Sequence, residues 1–71
     1  MNPYRELANA IVIQAAHDYR KALRELKQNK DYEPALDMKR DCERFFRSAW
    51  FSCLTELNGE ALMHDLKKEV A

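Results

Sequence analysis

The chain has 71 residues, 46% hydrophobic and 34% charged, with twelve basic and twelve acidic side chains. Such a chain forms one domain (residues 1–71) and buries only about 60% of the surface that its unfolded form exposes, so a partner, a metal or disulfides usually add stability. Zero net charge excludes the basic excess typical of nucleic-acid and anionic-membrane proteins. One Gly and two Pro favour a few long helices over a many-stranded sheet.

The only concentrated apolar run, around residues 10–13, is far shorter than the roughly 18 residues of a membrane span. Charged residues flank it on both sides, so we expect neither a secretory signal nor a membrane partner. Two cysteines without a secretory signal indicate a reducing compartment. The sequence therefore predicts a cytoplasmic location.

The first predicted helix covers residues 3–27. Asn2 is placed to cap it, and Pro3 suits the first turn because its missing N–H is not needed there. Apolar side chains recur at alternating steps of three and four, which is the spacing of a seam between packed helices. They are Ala8, Val12, Ala15, Tyr19, Ala22 and Leu26.

Residues 8–16 are apolar almost all the way round this helix. Ile11 widens the seam on one side, and Ile13 lies away from it. A helix surface of this kind must be covered on more than one side, and the rest of the chain is short for that task. We therefore predict a homodimer, with Ile11 and Ile13 at protein interfaces.

The second predicted helix covers residues 34–57, after a polar loop that ends at Pro34. Two adjacent apolar rows give it a wide, aromatic-rich face. The rows contain Ala35, Met38, Cys42, Phe45, Ala49, Cys53 and Leu57, and Phe46, Trp50 and Leu54. One alternative stays open: Ser48 caps a new helix beginning at Ala49, because Ser favours caps over helix interiors.

Asn58 and Gly59 predict the end of that helix, since both residues tolerate the left-handed conformation. A short last helix over residues 60–70 points Leu62, Met63 and Leu66 inward. The predicted fold is all-α: an antiparallel hairpin of two long helices plus a short C-terminal helix, with the core completed by dimerisation.

Cys42, Cys53 and His64 are eleven residues apart, which invites a metal-site interpretation. Eleven residues of helix rise by about 16 Å, too far for side chains that must all approach one ion. Both cysteines are instead predicted to be small core residues. No nucleophile motif or Gly-rich phosphate loop is present, so we predict no enzyme, no metal and no cofactor.

Arg40, Arg44 and Arg47 form a basic row, which indicates a surface for nucleic acid or an acidic partner. The alternative is a salt-bridged surface, because each arginine has an acidic residue three or four positions away. The predicted pairs are Asp37 with Arg40, Asp41 with Arg44, and Glu43 with Arg47.

Four large rings lie within seven residues: Phe45, Phe46, Trp50 and Phe51. Together they cover more than half the helix circumference, which exceeds what one partner helix can bury. Phe45 and Phe46 are assigned to the core. Trp50 or Phe51 is left as an interface anchor, since large aromatic residues dominate binding energy at protein interfaces.

The segments AIVIQAAHDYRKALRELK and CERFFRSAWFSCLTELNGEAL together resemble short accessory proteins of phages, prophages and conjugative elements of Gram-positive bacteria. The parts FFRSAWF and LNGEAL are the most distinctive, and the resemblance covers nearly the whole chain. It brings no catalytic residues with it. It implies a small protein in the cytoplasm of a bacterial host that binds and modulates a host or defence protein.

Two functional hypotheses follow. The first is a non-catalytic, homodimeric protein-binding module, an inhibitor or modulator of a bacterial defence or host protein. The second is a small nucleic-acid-binding regulator that uses the face formed by Arg40, Arg44 and Arg47.

Overall fold

The computed structural model describes residues 2–71. Over that range the chain forms helices and no strand, which confirms the all-α prediction. The helices are α1 (Pro3–Gln28), α2 (Glu33–Phe46), α3 (Ala49–Leu54) and α4 (Gly59–Val70). None of them combines the length and the apolar content needed to cross a membrane.

Helix α1 begins and ends within one residue of its predicted bounds. The side chain of Asn2 accepts a hydrogen bond from the backbone N–H of Tyr4 at 3.0 Å, and Pro3 occupies the first turn. The buried side of α1 is made almost entirely of small side chains, which lets the other helices approach closely. Its buried residues are Ala8, Val12, Ala16, Tyr19 and Ala22.

The prediction of one continuous helix over residues 34–57 is wrong, and the alternative break at Ser48 is the observed arrangement. Ser48 Oγ accepts a hydrogen bond from the Phe51 N–H at 3.1 Å and donates one to the Phe45 carbonyl at 2.6 Å. One hydroxyl therefore caps the start of α3 and also binds a carbonyl in the last turn of α2. This is the role that Ser prefers over a helix interior.

Asn58 and Gly59 begin a helix, which corrects their prediction as the end of one. The Asn58 side chain accepts a hydrogen bond from the Ala61 N–H at 3.1 Å, and neither residue adopts the left-handed conformation. Helix α3 has already ended at Leu54. A Cβ added to Gly59 would overlap the Phe46 carbonyl oxygen, so Gly is needed here for close packing of α4 on the end of α2.

The core lies where α1, α2, α3 and α4 meet. Its largest fully buried side chains are Tyr19, Phe51, Met63 and Leu66. The Tyr19 and Phe51 rings both pack edge-on against Phe46, each with a centroid separation of 5.6 Å. These aromatic contacts hold α1 and α3 on the C-terminal part of α2.

A single carboxylate links three helices at the edge of this core. The Tyr19 hydroxyl of α1 donates a 2.6 Å hydrogen bond to Oε2 of Glu43 on α2. The same oxygen lies 3.1 Å from Nζ of Lys39 and 3.8 Å from Nζ of Lys67, which belongs to α4. We call this group the Glu43 link.

The Glu43 link shifts the pKa values of both of its acidic members. Burial raises the pKa of Tyr19 well above its ordinary value, and the hydrogen bond to Glu43 raises it further. For Glu43, burial is the largest influence and opposes ionisation. The hydrogen bonds from Tyr19 and Lys39 and the charges of Lys39 and Lys67 together outweigh it, so the pKa of Glu43 is lowered.

Replacing Tyr19 with Phe tests the Glu43 link, and we expect it to lower the free energy of unfolding by about 1.5–3 kcal/mol, the range for hydrogen bonds to charged groups. It should also change the pH dependence. In the wild type, the stabilising contribution of Tyr19 is complete below the unfolded pKa of about 10 and is lost as the pH rises towards the folded pKa. The variant should therefore lose less stability at alkaline pH.

Glu43 acts at the other end of the pH scale. Its lowered pKa means that its contribution is complete above the unfolded value of about 4.3 and is lost as the pH falls through the folded pKa. Urea denaturation from about pH 3 to about pH 11 measures both slopes. Tyr32→Phe is the matched control, because Tyr32 is 41% exposed. If Tyr32→Phe flattens the alkaline slope as much as Tyr19→Phe does, the assignment to Tyr19 is wrong.

Candidate functional site

The break at Ser48 sends two neighbouring aromatic residues in opposite directions. Phe51 is 1% exposed and packs in the core, whereas Trp50 is 57% exposed. Phe45 contacts both rings edge-on, with centroid separations of 5.3 Å to Trp50 and 5.5 Å to Phe51. Phe51 is therefore a core residue, which corrects its proposed use as an interface anchor. Of the two, Trp50 is the one at the surface.

Trp50 stands at the edge of an open, mainly apolar groove of about 380 Å³ between α1 and the α2–α3 junction. Phe45 and Trp50 form one wall, and Ile11 and Ala15 of α1 form much of the other. The polar lining residues are Gln14 and Asp18. We call this feature the Trp50 groove. It brings together Ile11 and Trp50, two of the residues that the sequence assigned to protein interfaces.

Ile13 lies elsewhere on α1. It is 56% exposed, and two helical residues after Ile11 place it about 200° further round the axis. Leu7, which the sequence analysis did not single out, is 61% exposed. Its position four residues before Ile11 places Leu7 about 40° round the axis from Ile11 and about 120° from Ile13. Leu7, Ala10 and Ile13 follow one another at steps of three, and all three are exposed on the outer side of α1.

One carboxylate lines the Trp50 groove. Asp18 lines the groove and accepts a hydrogen bond from Gln14 Nε2 at 3.0 Å. Burial raises the pKa of the Cys42 thiol to about 11, and the charges of Asp18 and Asp41 raise it further. Within residues 2–71, Asp18 forms no ion pair.

Two arginines of the basic row are paired with acidic side chains. Arg40 binds Asp37 at 3.1 Å, which confirms that predicted pair. Arg47 binds Glu60 of α4 at 2.6 Å, so it is not paired with Glu43 as expected. Arg44 forms no ion pair in the part of the chain that the structure describes. The row is thus partly neutralised.

Glu43 is not paired with Arg47. It accepts the hydrogen bond from the Tyr19 hydroxyl and forms an ion pair with Lys39 instead. The predicted pair of Asp41 with Arg44 is likewise not formed among the described ion pairs. The spacing of residues in the sequence does not show that partners on other helices, such as Glu60 for Arg47 and Tyr19 for Glu43, compete with neighbours on the same helix.

The two cysteines differ in their surroundings. Cys42 is buried, and its thiol donates to the Ala15 carbonyl at 3.7 Å. Cys53 is exposed, which corrects its prediction as a core residue; the break at Ser48 takes α3 out of the register of the α2 face. Leu57 is exposed as well, because it lies beyond the end of α3 at Leu54. Over residues 2–71, no group of three or more metal-ligating side chains is placed to hold an ion.

A second, larger groove of about 750 Å³ lies between the start of α1 and the segment after α3. Tyr4 and Leu57 are its exposed apolar residues, and Asn2, Arg5 and Thr55 give it a mixed polar lining. It lacks a half-buried aromatic wall of the kind that Phe45 supplies to the Trp50 groove.

Comparisons of the chain with protein-family models, with curated proteins and with solved structures found no match.

Proposed function

We propose that this chain is a non-catalytic protein-binding module whose principal binding surface is the Trp50 groove. The observation that carries the proposal is the exposed indole of Trp50 beside an apolar groove. Trp is among the residue types that contribute most to binding energy, particularly next to apolar pockets that a partner can fill. Contact of this apolar surface with water is unfavourable in free energy, and a bound partner would cover the surface and remove that contact.

The chemistry of the thiol nearest the groove supports binding rather than catalysis. A nucleophilic cysteine reacts as the thiolate. The Cys42 thiol stays protonated at neutral pH, because burial raises its pKa to about 11. Its sulfur donates to a backbone carbonyl and serves the packing of α1 on α2.

The proposal includes self-association. We propose that α1 and α2 form an antiparallel hairpin and that two copies pair through the outer side of α1. Leu7 and Ile13 are both more than half exposed there, on either side of the small Ala10. A small residue between two larger ones lets a second helix approach closely. Because Ala10 also lines the Trp50 groove, the proposed dimer contact borders the groove, and the opposite wall at Phe45 and Trp50 is the part left for a different protein.

The biological context of the proposal comes from the resemblance to phage, prophage and conjugative-element proteins. In that setting the chain acts in the bacterial cytoplasm as an inhibitor or modulator of a host or defence protein. Binding without catalysis suits this role, since occupying a surface on an enzyme is enough to block or redirect it.

The alternative function, a nucleic-acid-binding regulator, is supported by Arg44, which forms no ion pair among the described residues. Pairing of Arg40 and Arg47 with acidic side chains works against it. Its test is a gel shift at low salt, where binding through phosphate contacts is strongest. No shift under those conditions removes this function.

Self-association is tested by measuring the native mass with light scattering across a dilution series. We expect a dimer for the wild type and for Trp50→Ala, and a monomer for Ile13→Glu, because an unpaired charge buried in an apolar interface is strongly unfavourable. Thr55→Glu, a half-buried position outside α1, is the control for added charge. A wild type that is monomeric at every concentration overturns the dimer and leaves the binding module to be tested through its groove.

A further inference from the structure

The side of α1 that faces away from the other helices has a charge pattern with a direction. Exposed residues recur there at steps of three and four, which place them within about 40° of one line along the helix. We call this line the outer stripe; its residues are Pro3, Glu6, Ala10, Ile13, His17, Lys21, Arg24 and Gln28. Its single acidic residue lies near the start of the helix, and its lysine and arginine lie near the end.

The other charged residues of α1 are turned towards other parts of the fold. Arg20 binds Glu69 of α4 at 2.6 Å, and Lys27 donates a hydrogen bond to the Val70 carbonyl at 3.0 Å. The remaining ones are a residue that lines the larger groove and two that are half-buried: Arg5, Asp18 and Glu25. The direction of charge along the outer stripe is therefore set by its own three charged residues.

This direction distinguishes the two ways in which identical stripes can pair. Parallel pairing places like charges against each other at both ends. Antiparallel pairing places Glu6 of each copy against Lys21 and Arg24 of the other, and twofold symmetry forms every such contact twice. Charges that flank a seam between two helices determine partner choice and orientation in this way. The outer stripe is thus complementary in charge to a second, antiparallel copy of itself.

The apolar residues of the outer stripe favour the same register. When Glu6 meets Lys21 and Arg24 of a second copy, the twofold axis falls at residues 13–15 of α1. Ile13, which is 56% exposed, is the largest apolar side chain of the stripe and lies beside that axis. The two copies of Ile13 then cover each other, and the small Ala10 allows the two helices to approach closely. Charge and apolar content therefore agree on one arrangement.

We infer that two copies of this chain pair antiparallel along the outer stripe, with Glu6 of each copy against Lys21 and Arg24 of the other and with Ile13 at the twofold axis. This inference rests on the proposed function, because it specifies the geometry of the proposed self-association. It leaves Phe45 and Trp50 outside the contact between the copies.

The experiment measures the dissociation constant of the full-length dimer by sedimentation equilibrium at low and high salt. Glu6→Lys should weaken the dimer about tenfold at low salt, because it places like charges together at both ends, and the difference should shrink at high salt. Lys21→Glu with Arg24→Glu should have a similar effect. Combining all three reversals restores opposite charges at both ends and should return the dissociation constant to within about threefold of the wild type.

Glu56→Lys is the matched control, because it makes the same change of charge at an exposed position outside α1 and should leave the dimer unchanged. Far-ultraviolet circular dichroism verifies that each variant keeps its helices. The reversals at the two ends of the stripe are separate measurements, so the test does not depend on the folding of one variant.

The failures of the inference and of the proposed self-association are distinguishable. If Glu6→Lys and the double reversal both dimerise as tightly as the wild type, the antiparallel arrangement is overturned and self-association stands, since a parallel pair only exchanges one set of facing like charges for another. A triple reversal that remains as weak as the single ones also overturns the inference. A wild type that is monomeric at every concentration overturns both.

Discussion

Phe51→Ala is expected to lower the free energy of unfolding by about 3–5 kcal/mol, the usual range for removing a buried phenylalanine. The ring is 1% exposed and packs edge-on against both Phe45 and Phe46. A chain of this length has a total stability of roughly 4–10 kcal/mol, so the variant should be largely unfolded or close to it. Urea denaturation followed by circular dichroism measures the loss.

Trp50→Ala is the matched control, one residue away in the same helix. It should lower the free energy of unfolding by only about 1 kcal/mol, because the indole is 57% exposed and its main aromatic contact is one edge-on approach to Phe45. Phe51→Leu keeps most of the buried volume and should lose about 1.5 kcal/mol, so it stays measurable. A larger loss for Trp50→Ala than for Phe51→Ala would reverse the orientation of α3 described above.

Gly59→Ala is expected to lower the free energy of unfolding by about 2–3 kcal/mol, the magnitude typical of overpacking. In an ordinary helix the same change is favourable by up to about 1 kcal/mol, so the close approach reverses its sign. The new Cβ would overlap the Phe46 carbonyl oxygen and lie 2.9 Å from the carbonyl carbon, and this backbone cannot move aside without displacing the end of α2. Thermal and urea denaturation both report the change.

The control for Gly59→Ala lies two residues further on, in the same helix. Ala61 is exposed, so Ala61→Gly should follow ordinary helix propensity and destabilise by about 1 kcal/mol. The two positions therefore have opposite preferences between Gly and Ala. If Gly59→Ala stabilises the protein, α4 does not approach α2 as closely as described.

Helix α1 was predictable almost to the residue because several independent features agree. The cap at Asn2, the proline at Pro3 and the apolar spacing all indicate the same helix, and the observed bounds follow them. The break between α2 and α3 was harder, because the apolar rows continue across Ser48 with helical spacing. Phe51, which lies off those rows, was the informative residue. Its position off the rows indicates a change of helix direction that turns the ring into the core, and not a surplus surface aromatic.

Asn58 and Gly59 illustrate a different limit of the sequence. Both residues are common at either end of a helix, so their presence locates a boundary without giving its direction. The end of α3 at Leu54 determines the direction of this boundary. Because α3 is a separate short helix, it ends before residue 57, where the predicted helix would have ended. The boundary at residue 58 then remained for α4.

For the candidate site, composition and spacing were enough to select Ile11 and Trp50. They were insufficient to show that the two line one groove, because this depends on how α1 packs against α2. The place of Asp18 in the lining of that groove depends on the same packing. The sequence also assigns Ile13 to an interface, away from the seam that Ile11 widens, and in the structure Ile13 is exposed and lies outside the groove.

The short helix α3 links recognition to stability. Six residues are too few for a helix to persist alone in water, and Phe51 is its single buried residue. The order of α3 therefore depends on one ring held in the core, next in sequence to the indole that we propose meets the partner. A partner that binds Trp50 also opposes movement of Phe51 out of the core. Binding should therefore protect the whole chain against unfolding and proteolysis.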